Sequence, residues 1–375
     1  MWFVLKRIGA FAVSLAVLAG VVFSLLFVAP GDPARSLVGT KKATPELLAQ
    51  IRANYHLDEP FFAQFGRWLD GVAHLDFGVS IRSGTPVVEA VAPHAAVTIR
   101  LILLALILSV LFGVLGGIVS AKGRGKLRDG AIGVVALVGT SAPSFAVGLL
   151  FLYVFALRLG AFPVYGIGDG SFADTMRHLA LPAITLAFGL GAMILKITRS
   201  AMLAEIASDY TVFLRARSIP PLRVTFAQVR NAAAPILTST GLVLASLFGS
   251  TVLIESVFAI PGLGNLLASS VTFHDVPVVQ FIALMLAFFI CAASMVVDIL
   301  VYFIDPRTRQ RGRAPGSAGT GRGAGQGQGA EPGSAPMGTA PGDPAPMGTA
   351  PMGSARGGTA QESTAPGHPA DGGAL

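Results

Sequence analysis

Charge is what this sequence has least of. Of its 375 residues only 13% are Asp, Glu, Lys or Arg, about half of the roughly 25% usual for soluble domains. A soluble fold of this length cannot cover its surface with so few charges, which nearly excludes a cytosolic enzyme. Cysteine is down to a single residue, Cys291. That excludes an intramolecular disulfide framework and any multi-cysteine zinc or iron–sulfur site. Six scattered histidines and no HExxH helix leave no metal site to expect. No GxxxxGK[ST] run is present, so nucleotide phosphate is not cradled by that route. The net charge of +7 is modest, and no nucleic-acid partner is expected.

Apolar residues, by contrast, make up 53% of the chain. A bilayer core about 30 Å thick takes about 20 apolar residues in a helix. Six stretches meet that length or come near it: Ile8 to Ala29, Ala95 to Val119, Ala131 to Leu157, Leu179 to Leu195, Ala232 to Ile254 and Val276 to Val297. The fold class expected is all-α, a polytopic membrane protein with six transmembrane helices. The first stretch follows Lys6 and Arg7 as a signal peptide would. Its apolar run exceeds a signal h-region, and its exit at Val28-Ala29-Pro30 lacks a small-x-small cleavage site, so it reads as a retained anchor.

The last 64 residues, Gly312 to Leu375, hold 18 Gly and 9 Pro and a near-repeat of Ala-Pro-Met-Gly-Thr-Ala-Pro. With almost no branched or aromatic apolar side chains such a stretch cannot offset the entropy of ordering, so a disordered Gly/Pro/Ala-rich tail is expected over 312–375. A docking tether is the alternative. The remaining divisions are residues 1–30, a first transmembrane helix, 31–94, an external helical segment, and 95–311, a five-helix core.

Lysine and arginine in short loops set orientation. Lys122, Arg124, Lys126 and Arg128 follow the second stretch. Lys196, Arg199, Arg215, Arg217, Arg223 and Arg230 follow the fourth, and Arg307, Arg309, Arg311 and Arg313 follow the sixth. The loop from Ser256 to Asp275 has none. Both termini are therefore expected in the cytoplasm, with 31–94 outside.

Two polar segments carry information. In the outer one, Thr44-Pro45-Glu46 and Asp58-Glu59-Pro60 are helix-start signals. Leu47, Leu48, Ile51 and Tyr55 follow the first at near-helical spacing. Phe61, Phe62, Phe65, Trp68, Leu69 and Val72 follow the second. These faces suit either a cap resting on the membrane helices or a landing surface for an external partner. The inner segment, about 198–231, reads as an amphipathic extension through Met202, Leu203, Ile206, Tyr210, Phe213 and Leu214. Arg215-Ala216-Arg217-Ser218-Ile219 and a break at Pro220-Pro221 come next, then a second polar helix near Arg223 to Asn231. A helix–break–helix with outward arginines suits a groove in a soluble partner. An ordinary positive-inside loop would look similar.

Several ordered landmarks lie on this frame: Pro30-Gly31-Asp32-Pro33, Leu57-Asp58-Glu59-Pro60, Asp76-Phe77-Gly78-Val79-Ser80, Ser141-Ala142-Pro143-Ser144-Phe145, His178-Leu179-Ala180-Leu181-Pro182, Glu255-Ser256-Val257-Phe258, Pro261-Gly262-Leu263-Gly264 and Asp305-Pro306-Arg307. Over residues 1–311 the chain resembles the integral membrane permeases of bacterial ABC importers, of the dipeptide/oligopeptide/nickel subclass. The resemblance implies a type I ABC importer permease (MetI-like) fold in the bacterial inner membrane. It also implies a second homologous permease subunit, cytoplasmic ATP-binding subunits that carry ATP and magnesium, and an extracytoplasmic substrate-binding protein or lipoprotein. No cofactor is expected on this chain and no catalytic residue. The inner bend corresponds to the coupling helix that docks on the ATPase: Tyr210, Leu214, Arg215, Ala216, Arg217, Ser218 and Ile219. The family usually has glycine where Ser218 stands here.

The function expected is passage of di- or oligopeptides, nickel chelates or glutathione into the cell. The alternatives are an ion-coupled secondary transporter, which would place acids at the midplane, and a membrane-embedded enzyme. Pro143, Pro182 and Pro235 are candidate helix breaks lining a cavity, or tolerated kinks. Phe61, Phe62, Trp68, Pro261 and Gly262 are candidate contacts for the binding protein. Glu255 and Asp298 stand at span ends, where solvated side chains are expected.

Overall fold

The computed structural model describes residues 2–28, 34, 38, 44–54 and 58–304. The tail over 312–375, the landmarks at Pro30–Pro33 and Asp305–Arg307, Tyr55 and the arginines from Arg307 onward lie outside the described residues. Helices make up nearly all of what is described. They are α1 (Trp2–Val28), α2 (Pro45–Asn54), α3 (Phe61–Ala73), α4 (Val87–Lys122), α5 (Leu127–Ser141), α6 (Ser144–Phe151), α7 (Phe172–Ile206), α8 (Asp209–Ala216), α9 (Pro221–Asn231), α10 (Ala233–Val257), α11 (Leu263–Thr272) and α12 (Val276–Ile304). A π-helical stretch, Leu152–Arg158, continues α6.

Five helices, α1, α4, α7, α10 and α12, are each long and apolar enough to cross a membrane. The sixth stretch departs from expectation. Ala131 to Leu157 is not one straight span but two helices, α5 and α6 with its extension, bent by 112° at a short break. The cause is local. Ala142 precedes proline and is extended (φ −78°, ψ 134°), as clash with the proline ring favours. Pro143 is extended too (φ −59°, ψ 131°) and has no N–H to continue the ladder.

The principal packing joins α4 to α7. Their backbones approach at small residues: Ser109, Gly113 and Gly117 on α4 face Gly191, Ile194 and Thr198 on α7. A Cβ on Gly113 would lie 2.6 Å from the Ile194 Cβ, and one on Gly117 would lie 2.6 Å from the Thr198 Cβ. Helices in lipid gain little from burying apolar area against each other, so close backbone approach is their main attraction. Leu101, Ile102, Leu179, Leu186, Leu247 and Ile254 close the core where α10 joins the pair.

At the end opposite residues 198–231, α3 lies over α1. The rings of Phe61, Phe65 and Trp68 surround Phe23, with centroids 5.4, 5.4 and 5.5 Å away. The turn after α3 is fixed by Asp275. This carboxylate, 2% exposed, accepts from the Ser80 hydroxyl (2.5 Å) and the Ile81 N–H (3.1 Å).

Glu255 corrects an expectation. It is not solvated at an interface but fully buried. Its carboxylate accepts from the Thr98 hydroxyl (2.6 Å) and from the N–H groups of Gly264 (2.7 Å) and Asn265 (3.2 Å) in the first turn of α11. Thr98 in turn accepts from the Leu263 N–H (2.8 Å). One acid thus satisfies orphan donors of a helix start from a neighbouring helix. Asp298 is 34% exposed and pairs with Arg7 of α1 at 2.5 Å, so it ties the first and last helices together.

Candidate functional site

The polar segment between α7 and α10 folds as two short helices, each started by its own sequence. Ser208 caps α8: its oxygen accepts from the Thr211 N–H (3.4 Å) while its hydroxyl donates to the Glu205 carbonyl (2.7 Å). Pro220 and Pro221 start α9, with Pro221 at the first helical position, where the missing N–H costs nothing.

A buried polar staple holds the pair to α7. The Thr211 hydroxyl donates to the Glu205 carbonyl (2.6 Å) and accepts from the Gln228 side-chain amide (3.2 Å). The Asn231 amide donates to the Glu205 carboxylate (3.1 Å). Thr211 and Gln228 are 0% and 2% exposed. Unpaired, such groups would weaken the packing by about 1–3 kcal/mol each; paired, they fix the angle of α9 against α8. Met202, Ala121, Ala232 and Ile236 form the apolar floor beneath. Sequence pattern does not single out Glu205, Thr211 or Gln228. The one available signal was the Ser208-Asp209 cap, since polar residues on an amphipathic helix are ordinarily assigned to solvent.

The bend between the helices is a Schellman turn. The Ile219 N–H reaches the Leu214 carbonyl (3.3 Å), and the Ser218 N–H reaches the Arg215 carbonyl (2.9 Å). Ser218 sits at φ +57°, the left-handed conformation in which glycine is favoured. The serine therefore occupies the position where the resembling family usually has glycine, and the turn forms around it.

Outward, the bend presents apolar side chains beside cations. Tyr210, Phe213, Leu222 and Phe226 are exposed, as are Arg215, Ala216 and Arg217, while Leu214 and Ile219 are half-buried. The Arg217 guanidinium lies 5.6 Å over the Phe213 ring. Beside the bend a cavity of about 580 Å³ has Lys122, Arg124 and Arg215 on its wall and Leu203, Ile206 and Val224 among its apolar lining. Exposed aromatics framed by arginine are the composition of protein–protein contact patches.

One further tie connects this end to the rest. Arg199 near the end of α7 holds Asp129 of α5 with two bonds of 2.9 Å, and Ser120 of α4 donates to the same carboxylate at 2.5 Å. A planar guanidinium matched to a carboxylate fixes relative orientation as well as distance. Three helices are therefore linked directly above the bend.

The other candidates fall in different places. Pro143 stands at the α5–α6 break, beside a second cavity of about 300 Å³ lined by Gly139, Thr140, Ala142, Ser144, Gly189, Met193 and Ser250, among others. Pro182 is buried inside α7 without interrupting it. Pro235 lies in the first turn of α10, where an absent N–H breaks no helical bond. Phe61 and Trp68 face Phe23, whereas Phe62 is 83% exposed. Pro261 accepts from the His94 ring at 3.0 Å. Gly262 is buried, and a Cβ there would lie 2.3 Å from the Glu255 carboxylate, so it offers no side-chain surface. Among the described residues no three of His, Cys, Asp or Glu are placed to hold a metal ion.

Residues 113–310 match the family described as the binding-protein-dependent transport system inner membrane component, and residues 1–102 match the N-terminal region described for such components. The chain is 34% identical over 310 residues to the glutathione transport system permease protein GsiC of Salmonella paratyphi A, covering 82% of this chain and 99% of that protein. It is 36% identical over 311 residues to a Brucella abortus protein provisionally named a peptide transport system permease, covering 82% of this chain and 98% of that protein. Among solved structures, a chain of the MetNI methionine ABC transporter aligns with 57% of this chain and 96% of its own length, at 15% identity and a TM-score of 0.48. A polytopic helical chain, matched along nearly its whole described length and closed at one end by a basic helical bend, belongs to the inner membrane components of binding-protein-dependent transport systems: it is an ABC importer permease subunit.

Proposed function

We propose that this permease passes di- or oligopeptides, with glutathione among them, into the cell across the bacterial inner membrane. In this reading both termini are cytoplasmic, and the α8–α9 bend docks on separate ATP-binding subunits that carry the ATP and magnesium. A second homologous permease subunit completes the pathway, and an extracytoplasmic binding protein or lipoprotein delivers the substrate. The observation that carries this reading is the outward patch of Tyr210, Phe213, Arg215 and Arg217 on a bend stapled to α7. Peptide as substrate rests on the two relatives, whose names refer to glutathione and peptide transport.

The mechanism is leverage. ATP draws the ATPase subunits together, and the docked bends move with them. The Thr211–Gln228–Glu205 staple and the Arg199–Asp129 pair pass that displacement to α7, α5 and α4 as rigid bodies. A change of state in the ATPases then biases the two arrangements of the permease by its differential contacts at the bend. Phe62 and the turn fixed by Asp275 face the side from which the binding protein approaches.

Joint replacement Arg215→Glu and Arg217→Glu tests the docking. The expected outcome is loss of peptide-stimulated ATP hydrolysis by at least tenfold in the reconstituted complex, with the permease still inserted in the membrane. Wild-type uptake by that variant would remove the bend from the coupling role.

A further inference from the structure

We infer that Lys196 of α7, at the edge of the cavity beside the α5–α6 bend, is a contact for the carboxylate of a passing peptide. This inference rests on the peptide-importer reading above. The cavity, about 300 Å³, is at the lower end of small-ligand sites, which run to about 1,000 Å³. Gly139, Thr140 and Ser144 line it from the bend, Gly189 and Met193 from α7 and Ser250 from α10. Leu186 and Leu190 of α7 line it too, so the wall is mostly apolar with three hydroxyls, and it carries no charge of its own.

Lys196 supplies one at its rim. It follows Met193 by three residues and Gly189 by seven, so all three lie on one face of α7. Side chains of a helix lean toward its N-terminus, which directs this one back toward Thr140 at the cavity's edge. Its ammonium donates to the hydroxyl of Thr140, itself a lining residue, at 2.7 Å. Among the described residues no carboxylate stands within ion-pair distance of it, whereas Arg199, one turn further on, is held by Asp129. A cation with one neutral hydroxyl partner, at the rim of a mostly apolar cavity, has donors left for an anion. A peptide brings a carboxylate, and an ammonium binds it as a point charge without the geometric lock of a guanidinium. Such a contact suits a site that must release what it holds.

The test uses the whole complex, with its ATPases and binding protein, in sealed vesicles. Uptake of a dipeptide and of the same dipeptide amidated at its C-terminus is compared for wild type, Lys196→Gln and Lys196→Arg. The binding protein is common to all three, so its own preference cancels in each variant-to-wild-type ratio. Lys196→Gln is expected to slow the free acid about tenfold and the amide less than twofold, with Lys196→Arg restoring at least half of the rate. Equal slowing of both substrates, or of neither, overturns the proposal. A lipid phosphate is the competing anion: a Lys196→Gln defect confined to vesicles containing anionic lipid would also overturn it. Wild-type uptake of neither substrate, with ATP hydrolysis intact, would instead remove the peptide reading and this contact with it.

Discussion

Ser218 holds a left-handed backbone (φ +57°) at the tip of the α8–α9 bend, and a side chain there carries a cost that glycine does not. The turn survives because the Schellman bonds from Ser218 and Ile219 and the two prolines that follow define its path. Ser218→Gly is expected to stabilise the bend by about 1 kcal/mol. Amide hydrogen exchange over Leu214 to Ile219 would then slow about fivefold, with exchange in α4 unchanged. Glu255 makes a different point at the same scale. An acid at the end of an apolar run looks solvated when read along the chain. Its true partners are Thr98, 157 residues away, and two N–H groups of the next helix. Separation in sequence hid them.

Among the elements, the α4–α7 contact depends on what is missing from its surface. With Cβ positions 2.6 Å from Ile194 and Thr198, Gly113 and Gly117 cannot carry a side chain unless the helices part. Gly113→Val is expected to destabilise the permease by about 1–3 kcal/mol through overpacking. Thermal unfolding of the detergent-solubilised protein would shift downward. Gly133, with nothing within 4 Å of its Cβ position, serves as the control and should leave the midpoint in place when replaced by alanine. The spacing of Ser109, Gly113 and Gly117 is visible in the sequence, but small residues every fourth position also occur on faces that meet only lipid. The α5–α6 bend was similarly half legible. Pro143 marked a candidate break, yet proline in membrane helices often leaves only a kink. It took the extended Ala142 as well to turn the chain by 112°.

For the whole molecule, the proposed topology places the α8–α9 bend in the cytoplasm and α3 outside. After Cys291→Ser, single cysteines at Phe62 and Ser218 separate the cases. A membrane-impermeant thiol reagent added to intact cells is expected to label the Phe62 position and to leave the Ser218 position unlabelled until the membrane is opened. The reverse pattern would invert the topology and deny the ATPase subunits their docking surface.

The sequence by itself determined the class of molecule, the number of apolar stretches, the basic bend and its break, and the family. The first three follow from composition and short-range pattern, because a bilayer demands long apolar runs and helices begin and end on local signals; the family came from the resemblance of the ordered landmarks. The tertiary structure alone decided which small residues became contacts, that Glu255 was buried, that Thr211 and Gln228 pin the bend to α7, and that Lys196 meets Thr140, 56 residues away. Those outcomes depend on which helices meet, and a helix periodicity names a face without naming its neighbour.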